Sequence, residues 1–162
     1  MHQVKRYHDI CAGHRVHGHE SKCSHMHGHN YRIQFVVQAK TVNMQNSELD
    51  ELGRVVDFSV VKDKLCMWVE NNWDHKFLAW EKDTFMQAVN ETLCCHGEHN
   101  GADMFRGSIV WVPFNPTAEN MAEYLVESVG PCVFNDDSNL ELVEVTIEET
   151  AKCHVTYKKE CS

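Results

Sequence analysis

The chain has 162 residues, of which 43% are apolar and 24% charged, a balance that suits one folded domain with one core and excludes a disordered chain. Its formal net charge of -9, from 24 acidic against 15 basic residues, argues against general binding to nucleic acids or anionic membranes. No run of about 18 apolar residues is present, so no membrane span is expected. The opening MHQVKRYHDI lacks the apolar centre of a secretory signal, and the eight cysteines read as reduced thiols of a cytoplasmic protein.

Taken in chain order, the first feature is a concentration of histidine. Eight of the twelve histidines fall within the first 29 residues. Residues 30–40, NYRIQFVVQAK, then alternate: Tyr31, Ile33, Phe35, Val37 and Ala39 point one way and Arg32, Gln34, Gln38 and Lys40 the other, with Val36 the exception. That is a half-buried strand. From Phe58, apolar residues recur at Val61, Leu65, Trp68 and Val69, the spacing of a helix, with Asp57 or Ser59 at its cap. A weaker helix is expected over 83–95. The polar stretch 96–107, HGEHNGADMFRG, reads as a surface loop, and residues 108–112 as a strand stopped by Pro113.

A second amphipathic helix is expected over 117–129, with Met121, Leu125, Val126 and Val129 on one stripe and Thr117 as N-cap. Residues 142–149 alternate again, and 153–157 supply a short hairpin partner. No linker or internal repeat divides the chain, so residues 1–162 form a single domain. The expected class is α+β: antiparallel strands with amphipathic helices on one face.

His27 and His29, one residue apart at the entrance to a strand, place both imidazoles on one face. His14 can reach them from a neighbouring strand, and three histidines with an open fourth position are the ligand set of a catalytic zinc. Cys23 lies four residues before His27. Spacing alone leaves it either a fourth ligand, which would make the site structural, or a reactive thiol beside the metal. Asp74-His75 is a candidate carboxylate–imidazole pair for proton transfer, provided it sits in a turn, because adjacent strand residues point apart. Glu149 shares the parity of Val143, Val145 and Ile147. It is either a carboxylate on the apolar face awaiting an N–H-bearing ligand or an exposed strand end. Cys94, Cys95, His96 and His99 are read as loop or core groups, not as a second metal cluster.

Together, CAGHR at 11–15, CSHMHGHNY at 23–31, VVDF at 55–58, WDHKFL at 73–78, NPTAEN at 115–120 and IEET at 147–150 resemble the 6-pyruvoyltetrahydropterin synthase / 6-carboxytetrahydropterin synthase family. The resemblance spans about residues 4–157. It implies the tunnelling fold: a four-stranded antiparallel sheet with two main helices on one face. Subunits would assemble into a barrel-forming homo-oligomer, a trimer or hexamer, with active sites between them. Relative to compact members, the chain has a longer segment at about 79–114.

Carried over position by position, the resemblance makes His14, His27 and His29 the Zn2+ ligands and Cys23 the catalytic cysteine. Asp74 and His75 become its partners. Glu149 becomes the anchor of the pterin ring, and Thr117 and Glu119 pocket residues supplied by a neighbouring subunit. The Cys-x3-His-Gly-His spacing resembles the branch of the queuosine route. That branch converts 7,8-dihydroneopterin triphosphate to 6-carboxy-5,6,7,8-tetrahydropterin with release of triphosphate and acetaldehyde, as a zinc-dependent lyase. Pyruvoyl synthesis by triphosphate elimination is the alternative activity, and a non-catalytic zinc or pterin-binding module the alternative of another class. Arg15, Lys22 and His19 are candidates to face the triphosphate.

Overall fold

The computed structural model describes residues 2–40, 48–95, 102–135 and 139–160. Six strands form one sheet: β1 (Val4–His14), β2 (His27–Ala39), β3 (Phe77–Trp80), β4 (Ile109–Val112), β5 (Leu140–Thr150) and β6 (Cys153–Lys158), in the order β4-β3-β1-β2-β5-β6. The four-stranded antiparallel expectation is therefore corrected. β1, β2, β5 and β6 are antiparallel neighbours, but β3 and β4 extend the sheet in parallel from the end of β1, with Gly13 opposite Phe77 and His14 opposite Leu78. The added strands bracket most of the long 79–114 segment. Each is only four residues long, too short for its alternation to stand out.

Two long helical runs cover one face. α1 joins an α-turn at Phe58–Val61, a π-helical stretch at Lys62–Cys66 and an α segment at Met67–Asn72. α2 (Thr84–Cys95) and α3 (Ala102–Ser108) lie in the extension. α4 runs from Ala118–Tyr124 through a π-helical Leu125–Val129 to Gly130–Val133. Asp57 caps α1 by accepting from the Ser59 N–H, and Thr117 caps α4 by accepting from that of Asn120. Residues 102–107, expected to be loop, belong to α3. The rest of that expected loop, 96–101, lies outside the described residues, as do His96 and His99.

Strand parity decides what each face meets. Ile10, Ala12, Tyr31, Ile33, Phe35, Val145 and Ile147 are buried against Val61, Leu65 and Val69 of α1 and Met121, Leu125 and Val126 of α4. The register shift opposite Val36 and Val37 puts the extra residue, Val143, in β5, so β2 itself stays regular and Val36 is a buried apolar residue on the face opposite Phe35 and Val37. In the extension, Leu78, Val110 and Val112 join this core, whereas Ala79 and Ile109 pack with Met86 of α2. Adjacent strand residues face opposite ways, so α2 covers the other face of β3 and β4. Among the described residues, no helix is long and apolar enough to cross a membrane.

Candidate active site

The site forms where β1 ends and β2 begins. His14 and His27 are direct cross-strand partners, and His29 follows two residues on, opposite Ala12. All three share the parity of Tyr31 and Ile33, so they lie on the helix-covered face. Their ring centroids are 4.5, 5.3 and 5.0 Å apart in pairs, and one nitrogen from each lies within 4.8 Å of the others.

Backbone carbonyls set the ring orientations. His14 Nδ1 lies 2.6 Å from the Pro116 carbonyl oxygen and His27 Nδ1 2.8 Å from that of His25. A carbonyl only accepts, so each Nδ1 carries the proton and Nε2 keeps its lone pair for a metal. His14 is buried, and the Nε2 atoms of His14 and His29 are both buried without a hydrogen-bond partner. Burial pushes the His14 imidazole below the ordinary histidine range, and His27 and His29 add to this. Burial does the same to His29, against the opposing pull of Glu149. Three inward-facing imidazoles, with the Nε2 atoms of His14 and His29 unpartnered, fit a metal ion held by three ligands.

Glu149 stands beside this cluster. Its Oε1 is 3.5 Å from His14 Nε2, 3.7 Å from His29 Nε2 and 3.5 Å from the Tyr31 hydroxyl that donates to it. Glu149 is thus turned inward and is not an exposed strand end. Burial and this carboxylate raise the Tyr31 pKa, so the phenol keeps its proton. A cavity of about 340 Å³ opens here, lined by His14, Cys23, Thr117, Glu119 and Glu149. Cys23 is half-buried on a 3-10 turn at Lys22–Ser24. Within the chain itself, Thr117 and Glu119 line the same cavity as His14 and Cys23.

Asp74 and His75 are not brought to this cavity. They line a separate one of about 680 Å³ with Cys11, Glu70 and Arg32. Asp74 accepts from the Cys11 N–H at 2.8 Å, and the His75 N–H donates to the Cys11 carbonyl at 2.7 Å. His75 adopts φ +55°, a left-handed turn that swings its ring back to 3.6 Å from Asp74 Oδ2. The required turn is therefore present, although Cys23 lies on the other cavity. Arg15, one candidate for the triphosphate, is instead occupied by Asp83.

Sequence reasoning missed Cys153 and His154, which also line the Cys23 cavity. The signal was the hairpin itself, since pairing β5 with β6 sets Thr150 opposite Cys153 and Glu148 opposite His154. It also missed the anchoring role of Asn115. Its side chain accepts from the His17 N–H and donates to the His17 carbonyl, both at 2.9 Å, pinning the β1–β2 loop to the start of α4.

A helix-backed sheet with three convergent imidazoles beside a cysteine-bearing cavity defines a protein whose histidine group could hold a metal ion next to a pocket of small-molecule size. The chain belongs to the 6-pyruvoyl tetrahydropterin synthase family, whose model matches residues 3–160, and is an enzyme of that family. It is 33% identical over 144 residues to the 6-carboxy-5,6,7,8-tetrahydropterin synthase of Rickettsia bellii (strain RML369-C), covering 89% of this chain and 91% of that one. It is 30% identical to the probable 6-carboxy-5,6,7,8-tetrahydropterin synthase of Halobacterium salinarum, covering 87% and 76%. Among solved structures, an uncharacterized protein from Wolinella succinogenes superposes with a TM-score of 0.82 at 21% identity, covering 98% of both chains. The 6-pyruvoyl tetrahydropterin synthase of Caenorhabditis elegans gives 0.61 at 25% identity, covering 98% of this chain and 95% of that one.

Proposed function

We propose that the protein is a zinc-dependent lyase that converts 7,8-dihydroneopterin triphosphate and one water to 6-carboxy-5,6,7,8-tetrahydropterin, triphosphate and acetaldehyde, in the route to queuosine. The observation that carries this reading is the convergence of His14, His27 and His29 on one another beside a cavity, lined by His14, that also holds Cys23 and Glu149. The family and the names of the relatives supply the substrate class.

His14, His27 and His29 would hold the zinc, which when bound supplies a Lewis acid that acidifies the hydroxyls of the substrate side chain. Glu149 would accept paired N–H donors from the pterin ring, orienting the side chain toward Cys23. The Cys23 thiolate would take a proton from a side-chain carbon and return it at another. Thr117 and Glu119 would line the ring's pocket. In a barrel-forming trimer or hexamer, Asp74 and His75 would reach Cys23 from a neighbouring subunit, which accounts for their lying on a different cavity of the same chain. The location proposed is cytoplasmic.

The test is to incubate zinc-loaded protein with 7,8-dihydroneopterin triphosphate and identify the products by mass spectrometry. The reading expects the carboxy product with acetaldehyde. The pyruvoyl product would move the enzyme to the other activity of its family. No turnover, with zinc bound, would leave a binding module. Cys23→Ala should abolish turnover and keep zinc; zinc loss would make Cys23 a ligand.

A further inference from the structure

We propose that Arg15 and Asp83 are positioning residues that clamp the Cys23 turn to the extension of the sheet. This rests on the reading of Cys23 as the reactive thiol. The Lys22–Ser24 turn buries no residue and has no capping side chain. Apart from Arg15, the turn is bonded within the loop: Val16 N–H to the Cys23 carbonyl at 2.8 Å, the Ser24 hydroxyl and N–H to the Ser21 carbonyl at 2.7 and 3.0 Å, and the His25 N–H to the Lys22 carbonyl at 2.9 Å, while Asn115 pins the loop farther away, at His17. Such a turn opens easily unless something outside the loop holds it.

Arg15 supplies that hold. Its Nε–H donates to the carbonyl of Ser24, next to Cys23, at 2.9 Å. Its Nη1 donates to both carboxylate oxygens of Asp83, at 2.8 and 2.9 Å. The guanidinium also lies 4.7 Å from the centre of the Phe85 ring. Asp83 is only 1% exposed, and its Oδ1 accepts from the N–H groups of Phe85 and Met86 at 3.0 and 3.3 Å. It is therefore rigidly part of the start of α2, whose Met86 is buried against Ala79 and Ile109. His17 adds a third group, with Nδ1 3.5 Å from Asp83 Oδ1. The chain of contacts runs from the packed extension through Asp83 and Arg15 to the backbone beside Cys23. The long 79–114 segment thus serves as a brace for the reactive turn.

Two variants separate a brace from a merely buried charge. Arg15→Lys keeps a cation against Asp83 but loses the planar fork that spans Asp83 and the Ser24 carbonyl together. Asp83→Asn keeps an oxygen to cap α2 but loses the charged acceptor. The first measurement needs no substrate: the alkylation rate of Cys23, followed by peptide mass spectrometry on the zinc-loaded protein. Loss of one charge-assisted hydrogen bond should raise that rate roughly tenfold, with zinc content unchanged. In the turnover assay kcat should fall by about the same factor with KM held, because the thiol and not the pocket is displaced. Cys23 alkylation in Arg15→Lys within twofold of wild type would overturn the proposal, whatever Asp83→Asn does to folding. If the wild-type protein turns over no pterin, the proposed function fails, while the alkylation rates still decide whether the brace exists.

Discussion

His14 and His27 face each other as cross-strand partners at the shared end of β1 and β2, with ring centroids 4.5 Å apart. One antiparallel pair therefore supplies two of the three clustered histidines, and the third follows at the next position on the same face of β2. The site is built into the register of the two central strands instead of being assembled from mobile loops.

Replacing one of these histidines should remove the metal. His27→Ala is the cleanest choice, because His27 is less buried than His14 and the change leaves the Pro116 contact intact. Metal affinity should fall by more than the ~10–100-fold typical of lost supporting contacts. Atomic spectroscopy after dialysis checks it; full metal retention would remove His27 from the ligand set.

The register also makes a prediction about glycine. Gly13 and Gly28 are cross-strand partners between the two histidine-bearing pairs. A Cβ on Gly28 would lie 2.9 Å from the Ala12 carbonyl oxygen and 3.4 Å from Gly13 Cα. Both are backbone atoms and cannot swing aside. Gly28→Ala should force β1 and β2 apart, cost about 1–3 kcal/mol of stability, and weaken metal binding by spreading His14 from His27. Thermal melts with and without chelator measure the two effects.

Glu149 has two possible jobs, and one substitution separates them. As a pterin anchor, Glu149→Gln should keep the metal and lower kcat/KM by roughly 10–100-fold, the loss of a charge-assisted hydrogen bond. If the metal is lost as well, the carboxylate is a ligand.

Acid should destabilise the metal-free protein through His14 and His29. Both folded-state pKa values lie below the ordinary value of 6.5, chiefly through burial. Between the folded and unfolded pKa the unfolded chain binds more protons, so stability rises with pH there. The contribution is complete above about pH 6.5 and is lost as pH falls through the folded values. Urea melts of chelator-treated protein should be flat from pH 7 to 8 and decline below 6.5. His29→Gln should decline less steeply; an unchanged slope would refute this account.

Much of the fold was legible locally. The alternation of residues 30–40, the Phe58 helix and the 117–129 helix are all present, and Asp57 and Thr117 are the caps, because these signals depend only on near neighbours in sequence. The strand carrying His14 was expected but given no bounds, because its inward positions include Arg6 and His8 among Val4, Ile10 and Ala12, which dilutes the alternation. α3 was missed because its residues, ADMFRGS, are polar and glycine-bearing, and its large apolar side chains, Met104 and Phe105, point to solvent. The three-histidine cluster was readable from His-x-His spacing plus one upstream histidine.

By itself, then, the sequence determined the family, the two capped helices and the three histidines that cluster, since periodicity and short spacings survive without knowledge of what packs where. The tertiary structure alone decided relationships between residues far apart in the chain. It turned Glu149 toward Tyr31 and the histidines, gave Arg15 to Asp83, and added β3 and β4 to the sheet. It also set Asp74 and His75 on a different cavity from Cys23. Each outcome depends on strand register and long-range burial, through which a side chain finds neighbours dozens of residues away, and no local pattern encodes that choice.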